Sequence, residues 1–150
     1  LRVFQQNSLE VVVFCMAAMA LVVDTFLFAL AWAVQLVVYP GFRWVNTAAN
    51  PHWHRTYTSR IVVLTLPTMV AQLVLHGLIA YRHPGWINAL GLLLVLISWA
   101  ITFGSAVRVH QKISIQGPRQ ELLDSLMAVH GFRTGVWSIV FLIQIKQTLL

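Results

Sequence analysis

Acidic side chains are nearly absent from this chain: Glu10, Asp24, Glu121 and Asp124 are all it has. Asp, Glu, Lys and Arg together make up 9% of the residues, against roughly 25% in a soluble domain. So little charge excludes an ordinary soluble fold, whose surface has nothing else to meet water with. Scarce carboxylates also exclude a paired-acid active site. Glu121 and Asp124 share at most one helix face, and such a pair is usually solvated. Cys15 is the single cysteine, which excludes an internal disulfide and a cysteine metal cluster. No Ser-His-Asp arrangement, internal repeat or low-complexity segment is present. No basic stretch leads into an apolar run with a small-residue cleavage motif, so a cleaved signal peptide is not expected. The ten basic residues give a formal charge of +6, but they stand at the ends of apolar runs. That placement marks membrane topology and excludes a nucleic-acid face.

What remains is apolar: 59% of the residues are hydrophobic. A membrane span needs about 20 apolar residues at 1.5 Å each. Four stretches qualify, at about 20–39, 61–81, 86–107 and 134–149. The 150 residues read as one integral membrane domain. The first run, from Leu9 to Tyr39, contains no Gly or Pro, so residues ahead of the span extend its helix or lie in the interface. Pro40-Gly41 stops that helix, Asn50-Pro51 starts the next, and Pro67 is expected to kink it. Arg82-His83-Pro84-Gly85 is a short turn. A polar stretch runs from Arg108 to Arg133 with a break at Gly117-Pro118, and 119–130 forms a short amphipathic helix before the last span. The fold class is therefore all-α: a four-transmembrane-helix bundle.

Four spans put both termini on one side. Loops 40–60 and 108–133 share the other, and hold Arg43, Arg55, Arg60, Arg108, Lys112, Arg119 and Arg133. The opposite side has Arg2, Arg82 and Lys146. This bias places both loops in the cytoplasm and the termini outside, with Asn46 and Gln116 as cytoplasmic positions. Trp44, Trp53 and Trp86 mark the interfaces. Trp32, Trp99 and Trp137 lie within spans, where they either line a pocket or pack.

Helical spacing gathers the polar residues within the spans into stripes. Asp24, Gln35 and Tyr39 share one in the first span. Thr65, Gln72 and His76 share one in the second, extended by His54 and Thr58. Gly91, Ser98, Thr102 and Ser105 form a small-residue stripe in the third, and His130, Thr134, Trp137 and Gln144 one in the fourth. Small and hydroxyl residues in such stripes usually serve helix packing. Asp24 and His76 are different, because ionisable groups in lipid are costly and face a partner in the bundle. Counted from the loop-rich side, Asp24 is 15 residues from Tyr39 and His76 is 16 from Arg60. That is roughly 22–24 Å for both, so they form an intramembrane pair candidate, with Lys146 as an alternative partner for Asp24. The pair is either structural, a proton site or a ligand contact.

Ligand or metal candidates converge at the loop-rich edge: Tyr39, His54, Arg60, His110, His130 and Arg133. Imidazoles from separate elements suit Zn, Cu or Fe, yet their spacing matches no compact metal motif. Backbone or headgroup bonding is the competing reading, and the arginines suit an anionic headgroup, phosphate or carboxylate. His76 alone lies well inside a span, so no bis-histidine transmembrane haem is expected. A bound lipid, quinone or pigment fits such an edge.

The run Trp32-Ala-Val-Gln35-Leu-Val-Val-Tyr39-Pro40-Gly-Phe42, followed by His54, Arg60 and Pro67 and then by His110, Leu126, Arg133-Thr134 and Trp137, resembles an uncharacterised family of bacterial four-helix integral membrane proteins. Those proteins are distantly similar to the anthrone-oxygenase-type membrane families. The resemblance covers roughly 32–137 and implies a four-helix bundle in a bacterial inner membrane, without assigning an activity. Three functions stay open. An accessory subunit of a larger photosynthetic or respiratory membrane complex is the leading one, with other membrane subunits or further copies of this chain as partners beside the lipids. The alternatives are a small membrane oxidoreductase and a lipophilic-ligand-binding protein with its site at the cytoplasmic edge.

Overall fold

In hydrocarbon every backbone N–H and C=O must find its partner within the chain, so long apolar runs become helices. The computed structural model of this protein follows that rule throughout. It describes residues 2–42, 44, 50–117 and 119–149, with side chains at 11–42, 44, 52–117 and 119–149. Arg43, Asn46, Pro118 and the side chain of Arg2 lie outside the described residues. Helix α1 (2–41) is α-helical over Arg2–Ala33, widens into a π turn at Val34–Val38 and closes with Tyr39–Gly41. Helix α2 is Asn50–Arg82. Helix α3, Trp86–Gln116, has its own π turn at Thr102–Ala106. Helix α4 is Gln120–Leu149. All four are long and apolar enough to cross a membrane. The protein is an all-α bundle of the membrane type, with no strand among the described residues.

The helices are longer than the spans read from hydropathy. The 31 residues of α3 reach roughly 46 Å, against a hydrocarbon core of about 30 Å. Its last turns, Val107–Gln116, carry Arg108 and Lys112 beyond the apolar stretch without a break. The loop expected over 108–133 shrinks accordingly to the few residues between Gln116 and Gln120, entered at Gly117, whose φ of +78° is the left-handed conformation glycine tolerates. The amphipathic turns over 119–130 bury Leu123 and Leu126 and run directly into the last span as part of α4. Pro67 lies inside α2 without ending it.

Helix α1 packs on α2 and α4, and α3 packs on the same two, so the four close into an up-down ring. The buried positions show how each helix turns its face inward. In α1 they are Ala20, Asp24, Leu27, Ala31 and Val34, spaced four and three apart as a bundle seam demands. The next buried residue is Tyr39, five further on. The π turn supplies the extra residue, with the Tyr39 N–H reaching back to the Val34 carbonyl. Pro40 follows at once, and a widened turn accommodates a ring that crowds the carbonyl four residues back. In α3 the seam runs Gly91, Val95, Ser98, then Ala106. Here the π turn rotates Ser105 outward, so the small-residue stripe expected there ends on Ala106 and Ser105 is exposed.

Three layers fill the ring. Val34, Tyr39, Phe42, Ile113, Leu123 and Leu126 pack together at the loop-rich end. Leu27, Ala31, Met69 and Trp137 form the middle. Beyond them lies a polar layer, in which Asp24 accepts from Gln72 Nε2 at 2.7 Å through Oδ1 and meets His76 Nε2 at 3.0 Å through Oδ2. Asp24 and His76 are 1% and 4% exposed, which places both in the bundle. Lys146 is exposed, so it is not the partner of Asp24. The bare Cα of Gly91 makes room for the imidazole, because a Cβ there would stand 3.2 Å from His76 Nδ1.

Removing one member of a buried polar pair strands the other, while replacing both by apolar groups is often neutral. Asp24→Leu is therefore expected to cost about 3–5 kcal/mol, and Asp24→Leu combined with His76→Leu to recover most of that loss. Equilibrium unfolding in mixed micelles checks this; a double variant as unstable as the single one refutes the pairing.

Candidate functional site

Between α1, α2, α3 and α4 at the loop-rich end lies a cavity of about 400 Å³. Its inner wall is apolar, made by Leu30, Ala31, Val34 and Ile61. Its polar wall is Tyr39, Tyr57, His110, His130 and Arg133, with Thr102 and Ser114. Both π turns border it: the first ends at Tyr39, and the second spans Thr102 to Ala106. Such bulges are frequent at functional sites because they redirect side chains without ending a helix.

The polar wall is connected. His54 Nε2 and His110 Nδ1 are 3.0 Å apart, and the Tyr39 hydroxyl is 3.4 Å from His110 Nε2. Ser114 Oγ lies 3.4 Å from His54 Nδ1 and 3.0 Å from the His110 carbonyl. A neutral imidazole donates from one nitrogen and accepts at the other, so the chain has one polarity at a time. With Ser114 donating to the His110 carbonyl, His54 Nδ1–H donates to Ser114, His110 Nδ1–H to His54 and Tyr39 O–H to His110. With Ser114 turned toward His54, every bond reverses. His130 belongs to a second set: its Nδ1 lies 3.0 Å from Gln35 Oε1 and 3.2 Å from Thr134 Oγ1, while the Thr134 hydroxyl also meets the His130 carbonyl. The Tyr39 ring meets the His130 ring edge to face, with centroids 4.7 Å apart. Arg133 donates from Nη1 to Thr102 Oγ1 at 3.1 Å, and its guanidinium lies 4.8 Å over the Trp137 ring.

Five of the six residues expected at this edge thus come together: Tyr39, His54, His110, His130 and Arg133. Arg60 does not. It is exposed and borders a separate outer groove with Trp53, Thr56 and Leu64. The reason is helical phase: six residues past His54 at 100° each leaves Arg60 about 120° off the inward face, where Thr58 and Ile61 stand instead. A metal centre is not formed either. Among the described residues no three His, Cys, Asp or Glu side chains gather to hold an ion. His54 and His110 turn nitrogens on each other, and His130 turns its Nδ1 to Gln35. Sequence reading missed Tyr57, Ala106 and Ser114. Ser114, four residues past His110 on one helix, was the one with a usable signal.

Comparison with protein-family models, curated proteins and solved structures finds no match to this chain.

Half-buried His110 loses a partner when the buried His54 is shortened, whereas Arg60 has no partner in this cluster. His54→Ala is expected to destabilise by about 1–3 kcal/mol and Arg60→Ala by less than about 0.5 kcal/mol. Denaturant titration of both variants in detergent checks the contrast; equal effects would remove the histidine pair from the site.

Proposed function

We propose that this protein is a membrane-embedded binder of a lipophilic small molecule, held in the cavity between its four helices. One observation carries the reading. A bundle that serves only as packing fills its interior, yet here a cavity of about 400 Å³ is kept among apolar side chains with a few converging polar ones. That composition and size are those of ligand pockets, which run from about 300 to 1,000 Å³. Lipid, quinone and pigment all have the required character. The accessory-subunit reading rests on the small size and apolar exterior of the chain and is compatible with a pocket, since a subunit can hold a ligand. A small membrane oxidoreductase is favoured by a different observation, the reversible chain from Tyr39 through His110 and His54 to Ser114, because a quinone exchanges protons as well as electrons.

The exposed ring of Arg55, Arg60, Arg108, Lys112 and Arg119 surrounds the pocket end, while Arg82 and Lys146 are at the other. By the positive-inside rule the pocket then opens near the cytoplasmic face of a bacterial inner membrane. Gln116→Cys is accordingly expected to resist an impermeant thiol reagent in intact cells and to react after lysis. Ready labelling from outside reverses the orientation.

Native mass spectrometry of the protein released from mild detergent tests the binding reading. The expected result is a stoichiometric lipophilic adduct, reduced at least several-fold in Val62→Trp, which fills the half-exposed mouth. A quinone as the adduct supports the oxidoreductase reading. Large co-purifying subunits with no adduct on this chain support the accessory role and overturn the binder.

A further inference from the structure

We infer that the pocket is a receptor for an oxyanion head group carried on a single apolar chain, with Arg133 as its anchor; this rests on the pocket being a ligand site. The first argument is depth. Arg133 stands roughly 20 Å along α4 from Gln120, well inside the bundle. Arginines at helix ends normally extend their heads to the interface, whereas this one folds against the Trp137 ring and Thr102.

The second is hydrogen bonding. A guanidinium is built to donate from several N–H groups at once and accepts nothing. Among the described residues Arg133 makes one hydrogen bond, from Nη1 to Thr102, and its buried Nε has no partner. Trp137 Nε1, beside it on the pocket wall, is another buried donor without a partner among the described residues. Two neighbouring donor groups in need of acceptors suit a carboxylate or phosphate, which only accept when ionised.

The third is charge. Among the described residues no carboxylate neutralises Arg133. Asp24 is engaged by Gln72 and His76. Asp124 is the nearer acid on α4, yet it is roughly 13 Å down the helix, and Glu121 is further. A buried cation without a counter-charge is costly, and an anionic ligand removes that cost.

The fourth is shape. Val62 and Val107 are at the pocket margin on α2 and α3, and they are 50% and 36% exposed. The cavity therefore opens sideways toward lipid between those helices. A head group on Arg133 leaves its chain running past Ile61 and out through this opening. Fatty acids and single-chain phospholipids share this chemistry.

Titration calorimetry on the intact chain in maltoside micelles tests the inference with dodecanoate, dodecyl phosphate and dodecanol. An oxyanion is expected to bind about tenfold or more tightly than the alcohol, the worth of a charge-assisted hydrogen bond. That preference disappears in Arg133→Gln and falls several-fold in Thr102→Val, the milder change that keeps the charge but frees the guanidinium. The Thr102→Val result and the wild-type comparison decide the matter even if Arg133→Gln does not fold. Tighter dodecanoate identifies a fatty-acid-like ligand, and tighter dodecyl phosphate a phospholipid-like one. Dodecanol binding as tightly as both, with binding lost in Val62→Trp, overturns the oxyanion inference and leaves the binder reading standing. No saturable binding of any probe overturns both.

Discussion

Lipid as solvent is the constraint on which the rest of this structure depends. It leaves a polar side chain two choices, a partner inside the bundle or a position near water. The chain obeys this closely. Asp24, His54, Gln72, His76, Ser98, His130, Thr134 and Gln144 are all buried, and each is bonded within or between helices. The exterior takes the apolar residues in their place, with Phe14, Val22, Val37, Val63 and Leu142 all turned outward. The hydrophobic pattern of a soluble protein is in effect replaced by a polar interior stripe, and those stripes set which helix faces meet.

That constraint explains why so much was legible beforehand. Stripes at helical spacing told which faces turn inward, and matched depths made Asp24 and His76 a candidate pair, with Lys146 the alternative that its exposed position removes. Both arguments need only 100° and 1.5 Å per residue. They fail where the helix itself departs from those values. The π turns at Val34–Val38 and Thr102–Ala106 each insert a residue, and the small-residue stripe ending in Ser105 was misread for that reason. Arg60 failed differently. Its depth was right, but depth says nothing of phase, and a basic residue near a span end is as often on the rim. Helix length was also underestimated, because hydropathy reports what lipid covers, and a helix continues past the lipid wherever its own hydrogen bonds allow.

The same two π turns connect fold and pocket. Each sits in a helix wall of the cavity, and each moves one side chain into the interior: Tyr39 from α1 and Ala106 from α3. Without the first, the four-and-three seam would turn Val38 inward and leave the Tyr39 hydroxyl off His110. Without the second, Ser105 would occupy the position of Ala106. A local irregularity weakens helix geometry for no packing gain that a regular turn lacks, so its presence on two sides of one cavity argues that the cavity shape is what is being maintained.

The bundle holds two polar layers separated by Leu27, Ala31, Met69 and Trp137, and the contrast between them is the strongest structural argument for function. The Asp24 layer is closed. A carboxylate, an amide and an imidazole bond to one another, and among the described residues the buried Gln72 Oε1 is left without a partner; such a layer fixes register, as buried polar groups do in helical bundles. The layer at the loop-rich end is open. It carries imidazoles, phenols and a guanidinium against a cavity, with buried N–H donors on Arg133 and Trp137 unmatched and no acid within reach among the described residues. If both layers were structural, the same economy should govern both. The second instead holds an excess of donors and positive charge beside accessible volume, an arrangement whose cost in folding free energy the binding of an acceptor-rich partner would offset.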